Sequence, residues 1–197
     1  MITNYRDLTV AAFLEIDTII RSDADEIDKQ VAIVALLNGT TEETILALPL
    51  AEYTHLAGQT AFLTQPCAPE EPDGKPLTLD GLTLVPVTDF TKVNTAQYVD
   101  FQSYSRDFPA TLAEILSIFL VPEGHAYGEG YDVARVQDAV RAMPWPAALG
   151  WSAFFFDSYL QSIAATLSSL DSDPRTREKA AELRATLETL SRSAGIG

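Results

Sequence analysis

The chain is poor in the residues that most often carry out chemistry. Its 197 residues include one cysteine, Cys67, and two histidines, His55 and His125. A single thiol excludes an internal disulfide, and Cys67 lies in a proline-rich stretch with no adjacent cation to lower its pKa, so it reads as an unreactive thiol. Two histidines far apart in sequence do not supply the nitrogen and sulfur framework of a zinc site. Cations are scarce too: 13 Lys and Arg stand against 28 Asp and Glu, a formal net charge of -15. A potential of that sign repels phosphate backbones and anionic headgroups, which excludes nucleic acid and anionic membrane surfaces as expected partners and favours a basic or apolar protein. There is no GxxxxGK[ST] phosphate loop. Nor is there an uninterrupted apolar run of roughly 20 residues, because the most membrane-like stretch, ALGWSAFFFDSYLQSIAATL, is broken by Asp157, Gln161 and several serines. The opening residues show no charged start followed by an apolar signal core, so a cytoplasmic chain without metal or cofactor is expected.

What the chain does have is 47% apolar residues arranged with helical periodicity. Thr9 is placed to cap a helix with Phe13, Ile16 and Ile20 on one face. SDADEID breaks it and starts a second helix, its acids complementing the positive helix end, with Ile27, Val31 and Val34 in register before Asn38 and Gly39 stop it. Thr40, three residues before Glu43, has capping-box spacing, and Pro49 splits the following pattern into a short helix and a longer one. This predicts an N-terminal helical subdomain over residues 1–63. TQPCAPEEPDGKP, with four prolines and no apolar period, reads as a linker over 64–76.

Residues 77–197 are predicted as a β-hairpin plus a C-terminal helical bundle, so that the fold class is mainly α with one small hairpin. In LTLDGLTLVPV, Asp80 and Gly81 can form a two-residue turn that sets Leu77, Leu79, Leu82 and Leu84 on one face; Pro86 suits an exposed edge. NTAQYVDFQSY, capped by Asn94 or Thr95, and TLAEILSIFL then return to helix. Val133, Val136, Val140 and Met143 follow at helical intervals until MPWP interrupts. The next helix, predicted to be central to this half, places Leu149, Ala153, Phe156, Leu160, Ile163, Leu167 and Leu170 on a stripe that Phe155 and Tyr159 widen. Asp173 and Pro174 start a final helix with Leu183, Leu187 and Leu190 on one side.

Motifs that suggest chemistry mostly have a structural reading. In LVPEGHAYGEGYD, Pro122 ends a helix, the glycines permit a reversal and Asp132 caps the next helix. SDADEID lacks the sixth-position glycine of a calcium loop. GWSAF around Ser152 has Phe154 where a nucleophile elbow needs glycine, and it falls in a helix. No catalytic or metal-binding residue is nominated. The run Phe154 to Phe156 is different, because three consecutive aromatics span about 200 degrees of a helix and demand cover on more than one side.

The order of segments, LTVAAFLEIDTII with EIDKQVAIVALLNGTTEETILALPLAEY, a leucine hairpin, KVNTAQYVDFQSY, LAEILSIFLVPEGHAYGEGYDVARVQDAV and the aromatic helix, resembles bacteriophage and prophage proteins of gut bacteria similar to the tail assembly chaperones of long-tailed phages. The resemblance spans most of residues 8–160. It implies a non-enzymatic helical protein of the bacterial host cytoplasm that self-associates, binds the tape-measure protein or tail-tube subunits, and keeps long apolar helices soluble. The segment 64–76 is longer than this resemblance leads one to expect. Phe154, Phe155, Tyr159, Tyr127 and Tyr131 are then the expected partner-binding residues. Three other classes stay open: a connector or completion protein of a phage head or tail, a metal-dependent hydrolase using His125 or His55, and an acidic mimic of nucleic acid.

Overall fold

The computed structural model describes residues 1–171; the expected final helix from Asp173 lies outside them, as do the side chains of Leu167 and Leu170. Among the described residues the protein is mainly α, with eight helices and a small antiparallel sheet. It divides into two units, one of Met1–Glu70 with Arg141–Leu149, the other of Glu71–Val140 with the chain from Gly150. The division falls inside the proline-rich segment, and residues 141–149 join the first unit.

In the first unit, α1 (Val10–Arg21) begins where Thr9 accepts the Ala12 amide at 3.2 Å, and α2 (Glu26–Asn38) where Asp25 accepts the Ile27 and Asp28 amides at 3.0 and 2.9 Å. Both caps fall where the sequence puts them. Gly39, at φ 62°, closes α2 in the left-handed conformation that glycine adopts without strain. The third cap shifts by one residue: Thr41, rather than Thr40, accepts the Thr44 amide at 3.3 Å and starts α3 (Glu42–Leu46). Pro49 separates it from α4 (Leu50–Gly58). Val31, Val34, Ala35 and Ile45 form a buried aliphatic cluster, with Leu48, Tyr53, Leu56 and Ala57 packed against it. An isolated antiparallel bridge between Thr9 and Pro144 closes this unit. Val10 donates to Met143 and Trp145 to Leu8, at 2.9 and 2.7 Å, and the Trp145 ring stacks on Phe13 with centroids 3.5 Å apart. Ile20 and Ile27, expected on the buried faces, are exposed at 54% and 70%; the ring of Trp145 meets α1 near its start, and Ile20 lies in the last turn.

In the second unit, β1 (Leu77–Leu79) and β2 (Leu82–Pro86) form the expected hairpin, with Leu77 opposite Leu84 and Leu79 opposite Leu82. Asp80 and Gly81 both have positive φ, 45° and 73°, the geometry of the tight turn that matches strand twist. A third strand, β3 (Leu120–Pro122), pairs antiparallel with β2. Pro86 is therefore not on an edge strand. It is the last residue of the central strand, buried opposite Leu120, and the ladder resumes with Val87 donating to Phe119 at 2.8 Å. α5 (Thr95–Tyr104) opens with a reciprocal capping box of Asn94 and Gln97. α6 (Leu112–Phe119) buries every residue except Glu114 and is the central helix of this unit, in place of the aromatic one. α7 (Val133–Arg141) follows Asp132, whose side chain accepts the Arg135 amide at 3.3 Å.

The aromatic helix is α8 (Trp145–Asp171), which begins in the first unit and continues in the second. Trp151, Phe155, Phe156, Tyr159 and Ile163 are buried, while Ala153 is exposed. Phe156 and Ile163 of the expected stripe are thus inside, as are Phe155 and Tyr159 that widen it, while Leu149 and Leu160 are half-buried and Ala153 gives up the inside position to rings that remove more area from water.

Candidate functional site

The five residues expected to meet a partner fall into three environments. Phe155 and Tyr159 are sealed, with 0% and 4% of their surface exposed. Phe155 packs on Phe119 at 5.0 Å and on Trp151 at 5.4 Å, and Tyr159 on Phe101 at 4.5 Å. The Tyr159 hydroxyl also receives a 3.2 Å hydrogen bond from Gln102. These two side chains belong to the core of the second unit, so their assignment to a surface is corrected: α5 and α6 already cover the rings that the sequence shows as apolar. Phe154 is half-buried, edge-on to Trp151 at 5.8 Å.

Tyr127 and Tyr131 are half-buried on the loop after β3. Positive φ at Gly124, Gly128 and Gly130 (81°, 81° and 69°) turns the chain back on itself there, as expected of a reversal. Tyr127 donates to the Asp100 carboxylate at 2.7 Å and ties the loop to α5. Burial, and then that hydrogen bond to a carboxylate, push its phenol far above the ordinary range. Tyr131 stacks on His125 with centroids 5.9 Å apart, and burial raises its phenol as well. A cavity of about 410 Å³ opens beside this loop, lined by Val85, Asp89, Lys92, Gln97, His125 and Tyr127 among others. Its one cationic side chain, Lys92, is paired with Asp89 at 3.0 Å.

The residues with reactive side chains stay apart. His55 is exposed on α4 and its Nε2 meets the Gln59 amide nitrogen at 3.0 Å. Burial raises the Cys67 thiol, the direction opposite to activation. Ser152 is buried in α8. Among the described residues no three of His, Cys, Asp and Glu gather as a metal site requires, and no helix is long and apolar enough to cross a membrane.

Surface apolarity lies elsewhere, in places the periodicity did not mark. Leu46 and Leu50 are exposed at 67% and 78%, beside Ile20 and Ile27 the largest uncovered aliphatic side chains of the first unit. Pro49 is the sequence signal for this region, since the break it imposes ends one short helix and starts another, with Leu46 and Leu50 at their adjoining ends. The first unit also carries a groove of about 500 Å³ lined by Glu15 and Ile19 of α1, Ala32, Ala35 and Leu36 of α2, and residues 40–43.

No protein-family model, curated protein or solved structure matches the chain.

Proposed function

We propose that the protein is a non-enzymatic assembly chaperone of a long-tailed bacteriophage or prophage, acting in the host cytoplasm on the tape-measure protein or tail-tube subunits. The observation that carries this reading is the pairing of large uncovered aliphatic side chains, Ile20, Ile27, Leu46 and Leu50, with an acidic chain of net charge -15. Isolated exposed aliphatics are ordinary, but four large ones on the helices of one small unit offer apolar contacts for the stripe of another helix. The negative charge keeps such a surface soluble while it waits for a partner. Each aliphatic side chain fully covered on capture contributes about 1.5–3 kcal/mol before ordering costs. Capture is then reversible and needs no nucleotide.

The reading expects a long helical tape-measure protein to be encoded beside this chain, and the test is co-expression with that protein. The reading expects that protein to stay soluble and to co-purify with this chain, and the chain to be absent from finished particles. An insoluble partner in the presence of this chain overturns the reading. Recovery of the chain as a stoichiometric part of finished tails replaces it with the structural-component reading.

A further inference from the structure

The groove of the first unit has a floor and a rim of different chemistry. Ala32 and Leu36 are one turn apart on α2, Glu15 and Ile19 one turn apart on α1, so the depression follows the helix pair for about one turn, or 5.4 Å. Small side chains at Ala32 and Ala35 leave it open, and Ile19 and Leu36 wall it. The charged rim is of one sign: Glu15, Glu42 and Glu43. Ion pairs of the described residues join Arg21 to Asp17, Lys29 to Glu26, Lys75 to Asp73 and Lys92 to Asp89, and none engages these three carboxylates. Glu43 is also held below the usual carboxylate range by its own backbone amide and by the Thr41 hydroxyl, which keeps its charge in place.

We infer that this groove docks one turn of a cationic amphipathic helix, an aliphatic side chain on the alanine floor and flanking lysine or arginine side chains on Glu15, Glu42 and Glu43. Three carboxylates without an ion-pair partner around an apolar floor repel an anion and leave a neutral helix with only the floor. A second copy of this chain brings the same net charge of -15 and is the poorer occupant. The inference deepens the chaperone reading by naming the chemistry of the captured segment, and it rests on that reading for its biological partner.

The probe is a synthetic helical peptide with leucine at every third or fourth position flanked by lysines, titrated against the full chain by fluorescence anisotropy. Two control peptides replace the lysines with glutamates or the leucines with serines. The expected result is binding of the first peptide and of neither control. The triple variant Glu15→Gln, Glu42→Gln, Glu43→Gln should weaken that binding about tenfold, since each exposed pair contributes a fraction of what a tenfold change requires. Ala32→Phe, which fills the floor, should weaken it at least as much. Helical circular dichroism checks the fold of each variant, and if the triple variant unfolds, Glu42→Gln alone should still weaken binding about twofold. Unchanged affinity in the folded variants, or equal binding of the serine peptide, overturns the inference. Co-expression with the unsubstituted chain decides the chaperone reading separately. Failure there with peptide binding intact removes that reading and leaves the groove, whereas soluble capture without peptide binding removes the groove and leaves the reading.

Discussion

The two units solve the problem of burial differently. The first has an aliphatic core built on Val31, Val34, Ala35 and Ile45, and leaves Ile20, Ile27, Leu46 and Leu50 in water. The second gathers Phe101, Phe119, Phe155, Phe156 and Tyr159 into a continuous set of ring contacts between 4.5 and 5.3 Å. Among its described residues the uncovered large apolar side chains are three valines, Val85, Val99 and Val133. Among the described residues the connected ring cluster therefore lies in the unit with the smaller uncovered apolar side chains, and the unit with the aliphatic cluster carries the larger ones. Rings bury more area per residue than any aliphatic side chain and set a demanding geometry, which suits them to a core that must be unique.

The sharpest way to break this contrast is to remove its hub. Phe101 is fully buried and touches Phe119, Phe156 and Tyr159, so Phe101→Ala should cost about 3–5 kcal/mol. Denaturant unfolding followed by tryptophan fluorescence measures it. Phe155→Ala should behave alike, as a core variant with lost stability. A stable Phe155→Ala protein with altered partner capture would return that ring to the surface. Next in size is Gln97, a polar side chain only 4% exposed, which caps α5 and donates to the Ile118 carbonyl at 2.9 Å. Gln97→Ala removes a cap and leaves a buried carbonyl unmet, a loss of about 2–3 kcal/mol in the same assay.

Base acts more gradually. The phenols of Tyr127 and Tyr159 are both raised, first by burial; a carboxylate partner raises Tyr127 further, while the Gln102 hydrogen bond partly lowers Tyr159. A folded-state pKa above the unfolded one means the folded chain holds its proton longer. The stability from these groups is complete below the ordinary value of about 10 and is lost as pH climbs above it. Tyrosinate absorbance from Tyr127 and Tyr159 should thus be delayed until the second unit opens, and Tyr127→Phe and Tyr159→Phe should each remove part of that late absorbance. Loss of absorbance near the ordinary tyrosine value in either variant would show that the replaced phenol is not shifted.

Local signals were legible where one or two residues fix the backbone. Thr9, Asp25 and Asn94 cap helices as their side-chain oxygens require, and Asp80–Gly81 sets the hairpin register. What remained hidden depends on distant partners. Leu120–Pro122 extends the apolar pattern of α6 without a period of its own, and only its pairing with β2 makes it a strand. Ala153 of α8 is exposed because a four-three alternation records which residues are apolar and not which large rings find cover. The same gap misplaced the binding surface: Phe155 and Tyr159 advertise apolarity, while their enclosure by Phe101 and Phe119 is visible only in three dimensions. The acidic groove was equally hidden, since Glu15 is far in sequence from Glu42 and Glu43.

Smaller still is the effect of losing a cap on the aliphatic unit. Asp25→Ala removes the side chain that receives the Ile27 and Asp28 amides and should cost about 1 kcal/mol in thermal unfolding. An unchanged midpoint would mean that α2 is held by its packing alone.

The smallest expected change in stability accompanies the change most informative about function. Leu50, 78% exposed, and Ile27, 70% exposed, remove little area from water in the isolated chain, so Leu50→Ser with Ile27→Ser should alter unfolding by no more than about 0.5 kcal/mol per site. If these side chains serve a partner, the same variant should bring down less of the co-expressed helical protein while remaining folded. The two core substitutions invert that pattern, with large losses of stability and no selective loss of capture in whatever remains folded. A serine pair that captures its partner as well as the parent chain would separate exposure from use at Ile27 and Leu50, and would leave Ile20, Leu46 and the groove beside Ala32 and Ala35 as the partner surface of the first unit.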